Sequence, residues 1–199
     1  MTSVGLTGHE SFLSDLNDHI QLAEATRKLF PVLAEVADRF RQAYERGGQV
    51  FSFGNGGSAA DAQHLAAELV GHYQRDRPPL PASALSVDTS VLTCIANDYD
   101  YSEVFARQVT ALAGPMDIVV GFTTSGRSPN VVKGLAAAKA VGATTVLFSG
   151  QDGRPAAEHS DLKLLVPSSS TARTQEMHLL IIHILSQYLD NWATGTHTK

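Results

Sequence analysis

A short apolar strand followed by a glycine- and hydroxyl-rich turn and a helix occurs twice in this chain, and constrains its fold strongly. The first copy spans residues 50–58 (VFSFGNGGS) and the second spans residues 118–128 (IVVGFTTSGRS). In such a turn, backbone N–H groups and the positive end of the helix dipole point at one spot, and hydroxyl groups add donors. Two anion-binding turns in one domain predict a small phosphorylated ligand.

Strands and helices alternate along the chain after residue 48. The sequence predicts strands near 49–53, 82–87, 117–122, 144–149 and 162–166, and helices near 58–72, 101–113, 129–141 and 172–192. The predicted strands are short and apolar, as in a parallel sheet covered on both faces. We therefore expect an α/β fold, a doubly wound three-layer sandwich with a five-stranded parallel sheet. Ligands of such folds bind at the carboxyl ends of the strands, where both turns lie.

The N-terminal segment, residues 10–46, has the apolar period of a helix. Pro31 is expected to divide it into two helices, because proline lacks the N–H that a helix interior requires. Gly47 and Gly48 are expected to end the second one. Residues 10–192 are thus predicted to form one domain that includes this helical segment, and residues 193–199 a frayed polar tail.

Composition narrows the function classes. The chain has 199 residues, enough for one domain with a real core, and 43% of them are hydrophobic. No apolar run reaches the roughly 18 to 20 residues of a membrane helix, and the first residues do not resemble a secretory signal. A net charge of −5 gives no general electrostatic reason to bind nucleic acid. Cys94 is the single cysteine, which fits a reducing cytoplasm. We expect a soluble cytoplasmic protein.

Two side chains on the helix after the first turn could carry out chemistry. His64 and Glu68 are four residues apart and share one helix face. An imidazole and a carboxylate so placed can ligate one metal or act as an acid/base pair. A surface hydrogen bond or a weak ion pair is the alternative.

The C-terminal helix carries a second set of candidates, among them Gln175 and His183. His183 lies among aliphatic residues, where a hydrogen-bonded core histidine is the alternative to a functional one. The two residues are eight apart, about 12 Å along a helix axis. One metal ion could take both from a single straight helix only with difficulty, which argues for an oligomer whose sites lie between subunits.

A polar segment near residue 97 is a third candidate. Asn97 and Asp98 follow a short apolar run and are predicted to lie in a loop. They could accept sugar hydroxyls or cap the following helix. Ser128, before Pro129, has the pattern of a helix N-cap that forms with or without a ligand.

Taken together, these residues resemble the sugar isomerase (SIS) domain family and, within it, the phosphoheptose isomerases. The resemblance covers residues 10–192, and its most specific stretch is residues 54–64 (GNGGSAADAQH). It implies a flavodoxin-like SIS domain. It also implies a cytoplasmic homotetramer, with N-terminal helices packed in the oligomer and active sites at the interfaces, that interconverts sedoheptulose 7-phosphate and D-glycero-D-manno-heptose 7-phosphate. This is the first step of nucleotide-activated heptose biosynthesis.

The resemblance also implies roles for individual residues. Glu68 and His183 would be the catalytic acid/base pair. One zinc ion per subunit would be held by His64, Glu68, Gln175 and His183. Substrate contacts would come from Asn55, Gly56, Gly57, Ser58, Glu68, Asn97, Asp98, Thr123, Thr124, Ser125, Ser128 and Gln175.

Three other functions share the SIS fold. A non-catalytic adaptor in replication initiation should lack the acid/base pair, so the presence of Glu68 and His183 counts against it. An isomerase of another phosphorylated sugar is an alternative, because the motifs indicate phosphate binding but say little about chain length. A sugar-phosphate sensor without turnover is the third.

Overall fold

The computed structural model describes residues 8–195, which form a three-layer α/β sandwich around one parallel sheet. The strands are Val50–Phe53 (β1), Ala82–Ala84 (β2), Ile118–Phe122 (β3), Thr144–Gly150 (β4) and Leu162–Val166 (β5), in the order β2-β1-β3-β4-β5. The helices are Gly8–Thr26 (α1), Phe30–Glu45 (α2), Gly57–Val70 (α3), Thr89–Asp98 (α4), Ala106–Leu112 (α5), Pro129–Ala140 (α6) and Thr171–Ala193 (α7). The predicted fold class is confirmed.

The strand order places the two glycine- and hydroxyl-rich turns side by side. β1 pairs in parallel with β3, and Phe53 at the end of β1 lies opposite Gly121 near the end of β3. The order reverses at this pair, since β2 lies on one side of β1 and β4 on the far side of β3. This is the switch point at which doubly wound folds bind their ligands.

Alternate residues of each central strand face opposite layers of core. On one face, Val120 packs in a cluster with Phe40 of α2 and with residues of α3 and α7. On the other face, Val119 packs with Leu135 of α6 and with residues of α4 and α5. Every residue of β1 and of β3 is buried, which explains why these strands are continuous apolar runs rather than alternating ones.

The segment before residue 106 differs from the prediction. The predicted loop around Asn97 and Asp98 is wrong, because both residues belong to the last turn of α4. Asp88 caps this helix by accepting a hydrogen bond from the N–H of Val91. This cap was not identified from the sequence, because the residues after it were interpreted as a short apolar run. The predicted helix 101–113 is a 3-10 turn, Tyr101–Glu103, followed by α5. Asp100, not Asp98, caps that turn.

The N-terminal segment forms two helices, as predicted. A 3-10 turn, Arg27–Leu29, separates α1 from α2, and Pro31 occupies the first turn of α2, where a missing N–H costs little. Gly47 follows α2 with a φ of +81°. At the other end, α7 extends to Ala193, and residues 196–199 of the predicted tail lie outside the described residues.

Helix α1 rests on α7 through polar contacts. His19 Nδ1 lies 2.7 Å from Glu176 Oε2, and Arg173 donates to the carbonyl oxygen of Asp15 at 2.9 Å. Helix α1 also carries exposed apolar side chains at helical spacing, among them Phe12, which is 72% exposed. The others are Leu13, Leu16 and Ile20. Contiguous exposed apolar surface of this kind is typical of an interaction surface.

A buried ion pair joins α7 to the segment that follows α3. Arg77 and Asp190 are both fully buried, with 2.7 Å between Arg77 Nε and Asp190 Oδ1. Burial raises the pKa of Asp190, but backbone hydrogen bonds from Gln74 and Arg75 and the ion pair with Arg77 outweigh it, so the pKa lies below its ordinary value. This carboxyl group is therefore ionised at neutral pH.

Among the described residues, 8–195, no helix combines the length and the apolar character needed to cross a membrane.

Candidate active site

A cavity of about 260 Å³ lies where three helices begin at the carboxyl edge of the sheet. Its walls come from the starts of α3, α6 and α7 and from the turn after β3. The residues that line it are Asn55, Gly57, Ser58, Phe122, Thr123, Thr124, Ser125, Ser128, Thr171 and Gln175. Three positive helix ends and several hydroxyl groups around one space make an anion-binding pocket.

The first turn requires glycine at position 56 and is closely packed at position 57. Gly56 has a φ of +55°, a conformation that side chains rarely adopt. A Cβ on Gly57 would lie 2.5 Å from Nε2 of Gln175, so the amide of Gln175 rests directly on the start of α3. The predicted contact residues Gly57 and Gln175 thus meet across two helices.

The second turn is held by its own hydroxyl groups. Thr123 Oγ1 accepts a hydrogen bond from the N–H of Gly126 at 3.2 Å, and it lies 3.4 Å from Oγ of Ser128. Gly126 has a φ of +70°, and a Cβ there would lie 2.2 Å from the backbone carbon of Gly153. The turn therefore has no room for any residue but glycine at this position.

A third strand-turn-helix unit contributes Thr171, which the sequence reasoning missed. Thr171 Oγ1 lies 3.5 Å from Oγ1 of Thr124. The signal was present, since residues 167–171 (PSSST) follow β5 and lead into α7 with four hydroxyl side chains. They lack glycine, the feature that drew attention to the first two turns.

A pair of side-chain amides holds Asn55 in place before the N-terminal end of α3. Asn55 and Asn130 each donate to the other's amide oxygen at 2.8 Å, and the Tyr101 hydroxyl donates to Asn55 Oδ1 at 3.2 Å. Asn130 is 2% exposed. Neither Asn130 nor Tyr101 was predicted, because the sequence does not reveal that α6 and the 3-10 turn approach Asn55.

Farther along α3 and α7, three predicted residues come together. His64 Nε2 lies 3.0 Å from Glu68 Oε1 and 3.1 Å from His183 Nε2. One nitrogen or carboxylate oxygen from each residue lies within 4.8 Å of the others. All three are half-buried, and His183 contacts His64 in addition to its aliphatic neighbours.

Other predicted residues lie apart from this triad. Gln175 and His183 are eight residues apart in the uninterrupted helix α7, with Gln175 at the cavity and His183 at the triad. Asn97 and Asp98 are exposed and hydrogen-bonded to each other, and neither lines the cavity. Their proximity to the Tyr101 turn puts them on the Asn55 side of the site.

The triad has the donor set of a metal site. Two imidazole nitrogens and one carboxylate oxygen are ligands that zinc prefers, and three protein ligands with a fourth position open are typical of catalytic zinc. Nitrogens that are each about 2 Å from a tetrahedral ion lie about 3.3 Å apart. The 3.1 Å between the two histidines is close to that value, so these residues fit a zinc ion.

Comparisons with known proteins show the family of this chain. A model of the SIS domain matches residues 12–150. A curated phosphoheptose isomerase from Trichlorobacter lovleyi is 44% identical over 188 residues, which are 94% of this chain and 96% of that protein. The chain belongs to the phosphoheptose isomerases of the SIS domain family. Membership of this family makes it an enzyme, an isomerase, rather than a non-catalytic adaptor or sensor.

Solved structures of the family share its whole fold. The phosphoheptose isomerase GmhA from Neisseria gonorrhoeae superposes with a TM-score of 0.88 at 38% identity, covering 93% of this chain and all of that one. A phosphoheptose isomerase from Francisella tularensis gives 0.90 at 34% identity, covering 94% of this chain and all of that one. The N-terminal helices and the five-stranded sheet thus belong to one family architecture.

Proposed function

We propose that this enzyme interconverts D-sedoheptulose 7-phosphate and D-glycero-D-manno-heptose 7-phosphate, the first step of nucleotide-activated heptose biosynthesis. The observation that carries the proposal is the pairing of an anion-binding cavity with the triad of His64, Glu68 and His183 on the same two helices. Relatives named phosphoheptose isomerase over nearly the whole chain supply the choice of substrate.

The cavity is assigned to the phosphate group. Helix starts and hydroxyl groups bind phosphate without a bulky cation, and Ser125 and Thr124 line this pocket with Ser58 of the first turn. Gln175 and His183 are about 12 Å apart along α7, so an extended sugar can place its phosphate in the cavity and its carbonyl end near the triad. Phosphate binding then holds the reacting carbons in position.

Glu68 and His183 are assigned to proton transfer. The Glu68 carboxylate removes a proton from C1 of the ketose while His183 donates a proton to the carbonyl oxygen on C2, which gives an enediol. Glu68 then returns its proton to C2, and His183 takes the hydroxyl proton from the oxygen on C1, which leaves the aldose. Both groups end in their starting protonation states.

Zinc is proposed as the cofactor, one ion per subunit. His64, Glu68 and His183 would hold it, and Gln175 would complete the site from another subunit, since its own helix holds it at the cavity. A bound zinc ion supplies positive charge that stabilises a developing oxyanion.

A cytoplasmic homotetramer with interfacial sites is proposed as the working form. The exposed apolar side of α1 gives a surface for other copies of the chain. A second apolar surface, lined by Phe30, Leu33 and Ile184 among others, forms a cavity of about 200 Å³ between α2 and α7. Apolar area of this extent favours burial against an apolar partner.

The decisive experiment follows conversion of sedoheptulose 7-phosphate by purified protein, with chelator and with zinc restored. We expect conversion, loss of activity with chelator and recovery with zinc, together with a tetramer mass by light scattering. Absence of conversion by the folded tetramer would contradict the proposed substrate and favour another phosphorylated sugar. Conversion unaffected by chelator would remove zinc from the proposal, and an active monomer would remove the shared site.

The phosphate pocket makes a separate prediction for Gly126→Ala. The new Cβ meets the Gly153 backbone at 2.2 Å, so the second turn must move, and we expect KM for the sugar phosphate to rise about tenfold or more. Gly142→Ala is the matched control. It has a similar φ of +81°, but its nearest neighbour, Pro115, is 3.5 Å away. Both variants should lose about 1–2 kcal/mol to backbone strain, and an unchanged KM in Gly126→Ala would contradict the assignment.

A further inference from the structure

We propose that Tyr73 is a positioning residue that fixes the ring of His183, and that the buried Arg77–Asp190 ion pair holds Tyr73 in place. The inference rests on the catalytic role proposed above for His183.

Tyr73 contacts the triad through its aromatic ring. Its ring stacks on the His183 imidazole with centroids 5.3 Å apart and 23° between the planes. The His64 ring is also close to the His183 ring, with centroids 5.1 Å apart and 57° between the planes. The His183 ring thus contacts two other rings, one stacked and one tilted. Because the second side-chain torsion of histidine is broad, these neighbours select its orientation.

Tyr73 belongs to a segment with neither helix nor strand, residues 71–81, so something else must fix it. Asp190 accepts backbone hydrogen bonds from Gln74 at 2.7 Å and from Arg75 at 2.9 Å. A longer contact of 3.5 Å joins it to the N–H of Tyr73 itself. The Asp190 carboxylate on α7 therefore anchors the backbone around Tyr73.

Arg77 ties the same segment to the helix that carries Glu68. Its guanidinium donates to Asp190 and to the carbonyl oxygens of Glu68 at 2.7 Å and Leu69 at 2.9 Å. These are the last carbonyls of α3, which have no partner within the helix. The ion pair thus joins the end of α3, the Tyr73 segment and α7, the elements that carry Glu68 and His183.

This arrangement has a catalytic consequence. Proton transfer requires the imidazole nitrogen to be aimed at the substrate oxygen, and a small misplacement of such a group can lower the rate about a hundredfold. A ring held by stacking needs no reorganisation during turnover. Tyr73 does not line the phosphate cavity, so its removal should change kcat rather than KM.

The test compares Tyr73→Ala with Tyr73→Phe in the assembled enzyme. We expect Tyr73→Ala to lower kcat about tenfold or more with KM within about twofold, and Tyr73→Phe to restore kcat because it keeps the stacked ring. Tyr73→Phe is the matched control, since it removes the hydroxyl group alone. Equal kcat for wild type and Tyr73→Ala would overturn the proposal, as would a Tyr73→Phe variant as slow as Tyr73→Ala.

A second measurement tests the ion pair. Asp190→Asn should speed amide hydrogen exchange at residues 73–75. It should also lower kcat, by a factor that follows the loss of kcat in Tyr73→Ala. Faster exchange with unchanged kcat would overturn the role of the ion pair. Breaking a buried ion pair costs about 3–5 kcal/mol, which can prevent this variant from folding. In that case the two Tyr73 variants alone test the role of Tyr73. Failure of the proposed function would instead appear as no conversion of sedoheptulose 7-phosphate by the wild-type enzyme. Normal turnover by His183→Gln would refute the catalytic role of His183, so these failures are distinguishable from failure of the Tyr73 proposal.

Discussion

Glu68→Gln is expected to lower kcat for sedoheptulose 7-phosphate about a thousandfold, with the fold and the subunit assembly unchanged. The amide has nearly the same shape as the carboxylate but cannot accept the C1 proton. Glu68 is half-buried and lies 3.0 Å from His64, within the triad. The measurement is steady-state turnover beside thermal unfolding and light scattering.

The matched control for this variant is Glu103→Gln. Glu103 forms an ion pair with Lys133 at 2.7 Å, and it lies outside both the cavity and the triad. Such a partly exposed pair contributes about 1 kcal/mol or less, so activity should persist. Glu68→Gln with more than about a tenth of wild-type kcat would remove Glu68 as the base.

His183→Gln is expected to lower kcat about a hundredfold or more. Glutamine retains a polar end within reach of His64, but an amide neither gives up nor takes on a proton near neutral pH. The stacking contact with Tyr73 is also lost. Because the phosphate pocket is elsewhere on α7, we expect KM to change less than kcat, and steady-state kinetics at several substrate concentrations separates the two.

A control variant and the metal content test whether the loss of kcat is specific to His183. His159→Gln changes a histidine of the 3-10 turn Ala156–His159, on another side of the sheet, and should leave turnover unchanged. In His183→Gln, zinc content per subunit by mass spectrometry should fall if His183 is a ligand. Wild-type kinetics for His183→Gln would return this residue to a core role.

The sequence predicted the repeated turns and the order of the five strands, and its errors have physical causes. The grouping of His64, Glu68 and His183 was implied by the family resemblance rather than by spacing alone. Helix α4 was missed because it is only ten residues long and was interpreted as a short apolar run, and Asp88 was not recognised as its cap. The third turn, at Thr171, was missed because its positive helix end carries hydroxyl groups without glycine. Gln175 and His183 were correctly expected to lie about 12 Å apart along one helix, since the rise of 1.5 Å per residue is fixed by helix geometry.

Interactions between residues close in sequence determine the local structure of this protein. Strand runs, glycine turns with positive φ and the four-residue spacing of His64 and Glu68 are set by backbone sterics and helix periodicity. Only the tertiary structure decided which distant groups meet. His183 approaches His64 across 119 residues, and Asp190 gathers the backbone near Tyr73 from more than 110 residues away. Such contacts arise from the strand order and the packing of α3 against α7, which no local pattern specifies.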